Sequence, residues 1–129
     1  MSDDTVISPS LENYLEIILE LTGEDGKVRV TDLAEKMNVA KSSVNQAVKK
    51  LRELDLLEHE HYGPLSLTPG GREKALRITR RHKVLTHFFH EILGVDAQTA
   101  EEDACRIEHY LSPTTMERLV DFVETKLKE

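Results

Sequence analysis

A single cysteine, Cys105, stands among 129 residues, so no disulfide can close within the chain, and a reducing, cytoplasmic setting is the expectation. No stretch approaches 18 consecutive apolar residues, which excludes a membrane-spanning helix. Residues 1–9 carry Asp3 and Asp4 and lack the basic, apolar and cleavage-site sections of a secretory signal. Hydrophobic residues are scarce at 39% and charged ones plentiful at 32%, a mix that suits small helical modules over modest cores. The length allows one full domain, or a DNA-binding module with a compact second module attached. There is no Gly-rich phosphate loop, no nucleophile elbow and no obvious spare general base, which weighs against an enzyme.

The formal net charge of −7 argues against a nucleic-acid binder until its distribution is considered. Residues 1–26 hold seven acidic groups and no Lys or Arg, whereas residues 27–87 hold thirteen Lys and Arg against seven acids. Residues 88–129 return to four against ten. A basic centre between acidic flanks fits a nucleic-acid module joined to a cation-binding one, although solvated faces alone can also produce it.

Ser8-Pro9-Ser10 reads as a helix start, with Leu11, Tyr14, Leu15, Ile18 and Leu21 recurring at helical spacing until the Gly23-Glu24-Asp25-Gly26 break. Val28-Arg29-Val30 reads as a short strand or an extended entry. Thr31 is the expected N-cap of a short helix buried through Leu33, Ala34 and Met37, broken by Asn38-Val39-Ala40. Ser42 is the expected cap of the next, buried through Val44, Ala47, Val48 and Leu51. Two short helices around a tight turn make a helix-turn-helix. Runs over 56–62 and 65–67 flank Gly63-Pro64 and predict a small hairpin, the wing of a winged helix. Further helices are predicted over about 72–93, 97–110 and from Ser112-Pro113 through Leu127.

The second helix of the pair carries the short polar groups that reach base edges in a major groove. Gln46 suits bidentate contact with adenine, and Ser42, Ser43 and Asn45 suit bases or phosphates. Lys41, Lys49 and Arg29 suit phosphates, where they add affinity rather than sequence choice. The same composition occurs on ordinary solvated helices; the helix-turn-helix pattern and the wing favour DNA.

The most specific signal is Cys105-Arg106-Ile107-Glu108-His109. On one helix, thiol, carboxylate and imidazole at i, i+3 and i+4 share a face, and these are side-chain classes that hold first-row metals. A small buried Cys and a surface Glu-His pair would look similar, so partners are needed. Asn13 and Glu16 share a face of the first helix, His82 sits in the Arg80-Arg81-His82-Lys83 run, and Glu101 lies one turn before Cys105 as an accessory candidate. His59, His61, His87 and His90 read as surface or core histidines.

With these residues in hand, the chain resembles the diphtheria toxin repressor family, which includes the manganese transport regulators. The resemblance runs through residues 11–16, 40–51, Leu67-Thr68-Pro69-Gly70-Gly71, His82, Ile92-Leu93-Gly94-Val95-Asp96 and, most closely, 102–112. It implies a mainly α protein in its short, two-domain form. A winged helix-turn-helix DNA-binding domain over 1–71 would precede a helical metal-binding and dimerisation domain over 72–129. It also implies a homodimer that binds a palindromic operator when loaded with Fe(II) or Mn(II) and controls metal-uptake genes. Glu108 and His109 match ligands shared across the family, Cys105 and Gln46 match the iron-type branch, and Glu16 and His82 match ligands of the manganese branch. Asn13 stands where those branches place Met or Asp, and a neutral amide oxygen is a weaker ligand. Thr86 stands where an iron-type accessory site has a glutamate. The thiolate ranks Fe(II) before Mn(II), with Zn(II), Co(II) and Ni(II) expected to bind in vitro. The competing readings are a metal-independent winged-helix regulator answering to a small organic ligand, a metalloenzyme, and a redox role for Cys105.

Overall fold

The computed structural model describes residues 7–60 and 63–127; His61, Tyr62 and the acids of the first six positions lie outside them. Among the described residues six α-helices, one π-helical turn and two short strands follow in chain order. They divide into two compact units, Met1–Leu76 and Arg77–Glu129, and the division falls inside the fourth helix. No helix of the described residues is long and apolar enough to cross a membrane.

In the first unit, α1 (Pro9–Leu21) begins at Ser8, whose hydroxyl accepts from the Leu11 backbone N–H at 3.2 Å. Tyr14, Leu15 and Ile18 bury one face. The next helix, α2 (Val30–Met37), starts one residue before the expected Thr31 cap, and Arg29 takes the cap position with no side-chain bond. The reason is tertiary. Val28 exchanges backbone hydrogen bonds with Leu65 at 2.8 and 2.6 Å, so the chain is held extended up to Arg29 and turns helical directly after it. Asn38 ends α2 at φ 55°, in the left-handed region that Asn tolerates better than most residues. Helix α3 (Lys41–Glu53) likewise opens earlier than Ser42, with Ala40 at the cap. Val44, Val48 and Leu51 on α3 and Leu33 on α2 are almost fully buried, and α1, α2 and α3 pack against one another.

The hairpin is shorter than its sequence run. Strand β1 (Leu57–His59) pairs antiparallel with β2 (Leu65–Leu67) in the register Leu57↔Leu67, Glu58↔Ser66 and His59↔Leu65. Thr68 then joins the wing to the fourth helix, α4 (Pro69–His87). Its N–H donates to the Leu56 carbonyl at 3.2 Å, and its hydroxyl donates to the Asp55 carbonyl at 2.7 Å and accepts from Gly71 N–H at 3.0 Å. A Cβ at Gly71 would stand 1.8 Å from the Leu56 carbonyl oxygen, so only glycine allows this approach.

In the second unit, the helix expected over 72–93 ends at His87 and continues as a π-helical turn, Phe88–Ile92. Helix α5 (Ala97–Ile107) is capped by Asp96, whose carboxylate accepts from Thr99 N–H at 3.0 Å. It stops at Ile107 rather than Tyr110. Helix α6 (Pro113–Leu127) starts where Ser112-Pro113 places it, and the Ser112 hydroxyl accepts from Thr115 N–H at 3.1 Å. Leu85, Ala104 and Met116 form the core here, with Phe89, Leu111, Leu119 and Val120 packed around them.

Candidate metal centre and nucleic-acid interface

The two units carry different chemistry. On the first, the outward face of α3 presents Lys41, Ser42, Ser43, Asn45, Gln46, Lys49, Lys50 and Arg52 to solvent, while the inward face is apolar. Exposure follows helical geometry, because the burial of Val44, Ala47, Val48 and Leu51 at three- and four-residue spacing leaves the polar positions no inward direction. Glu53, at the last position, is the one acid on α3. Arg29 is exposed as well, and with Thr31, Asn45, His59, Gly63 and Pro64 it lines a surface hollow of about 320 Å³ beside the hairpin. The structure thus brings Arg29 and Asn45 together and adds His59, whose alignment with Leu65 in the hairpin was not readable from composition. Lys27, by contrast, pairs with Glu60 at 3.2 Å.

The second unit holds a buried cluster built on α4 and the end of α5. Glu108 is the C-cap of α5 and its side chain is fully buried. Its Oε2 lies 3.2 Å from His82 Nδ1 and its Oε1 lies 3.1 Å from His109 Nε2. The His82 side chain is 15% exposed and that of His109 is 7% exposed. Each oxygen of Glu108 thus faces a different imidazole inside the core of this unit. A buried carboxylate flanked by two imidazole nitrogens is also a donor set that suits a cation, since each of these atoms can give an electron pair to a metal.

Electrostatics agrees. The Glu108 contact raises the His82 pKa to about 9; burial opposes this, and Glu101 adds to the rise. Burial pushes the Glu108 carboxyl upward, but His109 and His82 outweigh it and hold it below its ordinary value. His82 also meets Glu101, Nε2 to Oε1, at 2.7 Å. Thr86 turns its hydroxyl back onto the His82 carbonyl at 2.9 Å.

The remaining expected ligands are placed differently. Cys105 is exposed, although it lies only three positions from the buried Glu108. Three residues advance a helix by about 300°, so the two side chains stand roughly 60° apart and fall on either side of the core boundary. Asn13 and Glu16 are half-buried on α1, in the first unit. His87 and His90 join His82, Lys83, Thr86, Glu91 and Glu101 around a hollow of about 170 Å³. His90 Nδ1 meets the Val95 carbonyl at 2.8 Å.

Two family models match the chain. The iron dependent repressor N-terminal DNA binding domain matches residues 6–65, and the iron dependent repressor metal binding and dimerisation domain matches residues 68–126. An uncharacterised HTH-type transcriptional regulator of Methanocaldococcus jannaschii is 40% identical over 119 residues, covering 92% of this chain and 95% of that protein. The HTH-type transcriptional regulator MntR of Bacillus pumilus is 40% identical over 117 residues, covering 91% and 81%. Among solved structures, the manganese regulator SloR superposes with a TM-score of 0.75 at 34% identity, covering 92% of this chain. The chain spans only 55% of the SloR chain, and about half of several other solved relatives.

Proposed function

We propose that this chain, which belongs to the iron dependent repressor family of metal-dependent transcriptional repressors, binds a palindromic operator as a homodimer when loaded with Fe(II) or, second, Mn(II). The relatives are transcriptional regulators, not enzymes. The observation that carries the metal reading is Glu108: a fully buried carboxylate set between the imidazoles of His82 and His109 at 3.2 and 3.1 Å.

When bound, a divalent cation supplies the positive centre that carboxylate, imidazole and thiolate ligands share. His82, Glu108 and His109 are the proposed core of the set in the second unit. Cys105, one turn before Glu108, is the proposed thiolate, and a thiolate ranks Fe(II) before Mn(II). Zn(II), Co(II) and Ni(II) should load the same donors in vitro. Glu16, with Asn13 beside it, is the ligand the family resemblance implies from the first unit. Metal loading biases the two DNA-binding modules of a dimer toward the spacing of two half-sites. A coupling of about 1–3 kcal/mol corresponds to a change in operator affinity of roughly 5- to 150-fold.

The division of labour follows the same reading. Residues 1–71 bind DNA, with Gln46, Ser42, Ser43 and Asn45 toward bases and Lys41, Lys49 and Arg29 toward phosphates. Residues 72–129 bind metal and dimerise. A cytoplasmic repressor of metal-uptake genes is the biological role this implies. His109→Ala tests the ligand assignment: it should abolish metal-dependent operator binding while the circular dichroism spectrum stays unchanged. A variant with its full response to metal would overturn the assignment.

A further inference from the structure

We propose that Glu101 is a positioning residue for His82, accepting a hydrogen bond from its Nε2–H so that Nδ1 is the nitrogen offered to the metal. This rests on the metal reading above. Sequence spacing made Glu101 an accessory ligand, but the geometry gives it another task. The Glu101 carboxylate lies 2.7 Å from Nε2, whereas Glu108 lies 3.2 Å from Nδ1, on the other ring nitrogen. The lone-pair directions of the two nitrogens diverge, so a carboxylate bonded at Nε2 does not share a cation held at Nδ1. Burial separates the two carboxylates as well. Glu108 is 0% exposed and Glu101 is 62% exposed, as befits one group inside the centre and one bracing it from the surface.

The physical need is specific. A neutral imidazole carries its proton on one of two nitrogens, and only the other can donate a lone pair. An anionic acceptor at Nε2 fixes the tautomer, holds the ring plane and makes Nδ1 a better donor.

The test is Co(II) titration of the full chain, unsubstituted and as Glu101→Ala and Glu101→Gln, followed by visible absorption. Glu101 is a surface group, so neither variant should disturb folding. Glu101→Ala should bind about 10- to 100-fold more weakly, the usual cost of losing a partner of a metal-ligating histidine. Glu101→Gln should recover to within about threefold, because an amide oxygen still accepts from Nε2–H. All three should give the same bands at saturation. In the Zn(II)-loaded protein, nitrogen NMR should show His82 protonated at Nε2, with slowed proton exchange that Glu101→Ala abolishes.

Unchanged affinity in Glu101→Ala would overturn the proposal, as would a Glu101→Gln variant equally weak. Altered bands at saturation in both variants would make Glu101 a ligand instead. An unsubstituted chain that takes up no Co(II) would bring down the metal reading itself, a failure distinct from the others.

Discussion

Metal uptake should expel a proton from His82, and the structure sets the size of the release. The imidazole sits between Glu108 at 3.2 Å and Glu101 at 2.7 Å, and the Glu108 contact leads the rise of its pKa to about 9. At pH 7.5 an imidazole of that pKa is about 97% protonated, against about 9% at the ordinary value. Coordination through Nδ1 needs its lone pair, so the proton must leave. Cys105→Ser provides the cleanest background, since no thiol then contributes. In that variant Mn(II) should displace at least about one proton per site at pH 7.5. Calorimetric titrations in buffers of different ionisation enthalpy count the protons directly. The apparent affinity should also climb about tenfold per unit between pH 6.5 and 8.5. A release below about a third of a proton, with an affinity flat over that range, would refute the reasoning. His82 would then be neutral before the metal arrives, and the two carboxylates would not be holding its proton.

Three further expectations concern the wing exit, helix α3 and the metal-free protein. Gly71→Ala forces a Cβ to within 1.8 Å of the Leu56 carbonyl oxygen, so the wing exit or α4 must shift. The cost should be about 1–3 kcal/mol, read as a lower thermal midpoint; an unchanged midpoint would contradict the packing described. Gln46→Ala should relax preference at one operator position by about 1–3 kcal/mol, whereas Lys49→Ala should weaken all sequences alike and reduce the salt slope by about one. Competition binding at several salt concentrations separates the two, and identical behaviour would dissolve the division between base and phosphate contacts. In the metal-free protein, the His82 pKa lies above its unfolded value, so its stabilising contribution is complete below pH ~6.5 and fades as pH rises through about 9. Urea midpoints should fall across that window, and His82→Gln should flatten the fall; equal slopes in both proteins would count against the ion pairs.

Local chemistry made much of this fold legible. Ser8-Pro9 opens α1 and Ser112-Pro113 opens α6, each through a cap that acts over three or four residues. The features that escaped are set at longer range. Pairing of Val28 with Leu65, 37 positions away, decides where α2 begins. The π-helical turn at Phe88–Ile92 follows apolar spacing that reads as ordinary helix, because one register slip leaves the hydrophobic pattern nearly intact. The metal constellation shows the same limit. Glu108 and His109 were visible as donors, but their meeting with His82 depends on how α4 packs beside α5. Cys105 falls on the exposed side of a boundary that spacing alone does not draw, and Glu101 gains its task only from the 2.7 Å contact with His82.

The central claim, a repressor switched by metal, is tested most directly by an anaerobic selection from a random duplex library with Fe(II), Mn(II) or chelator present. A palindrome enriched with metal and lost under chelator is the expected result, with Fe(II) at least as effective as Mn(II). The same palindrome enriched equally under chelator would contradict the metal switch while leaving the winged helix as a DNA reader.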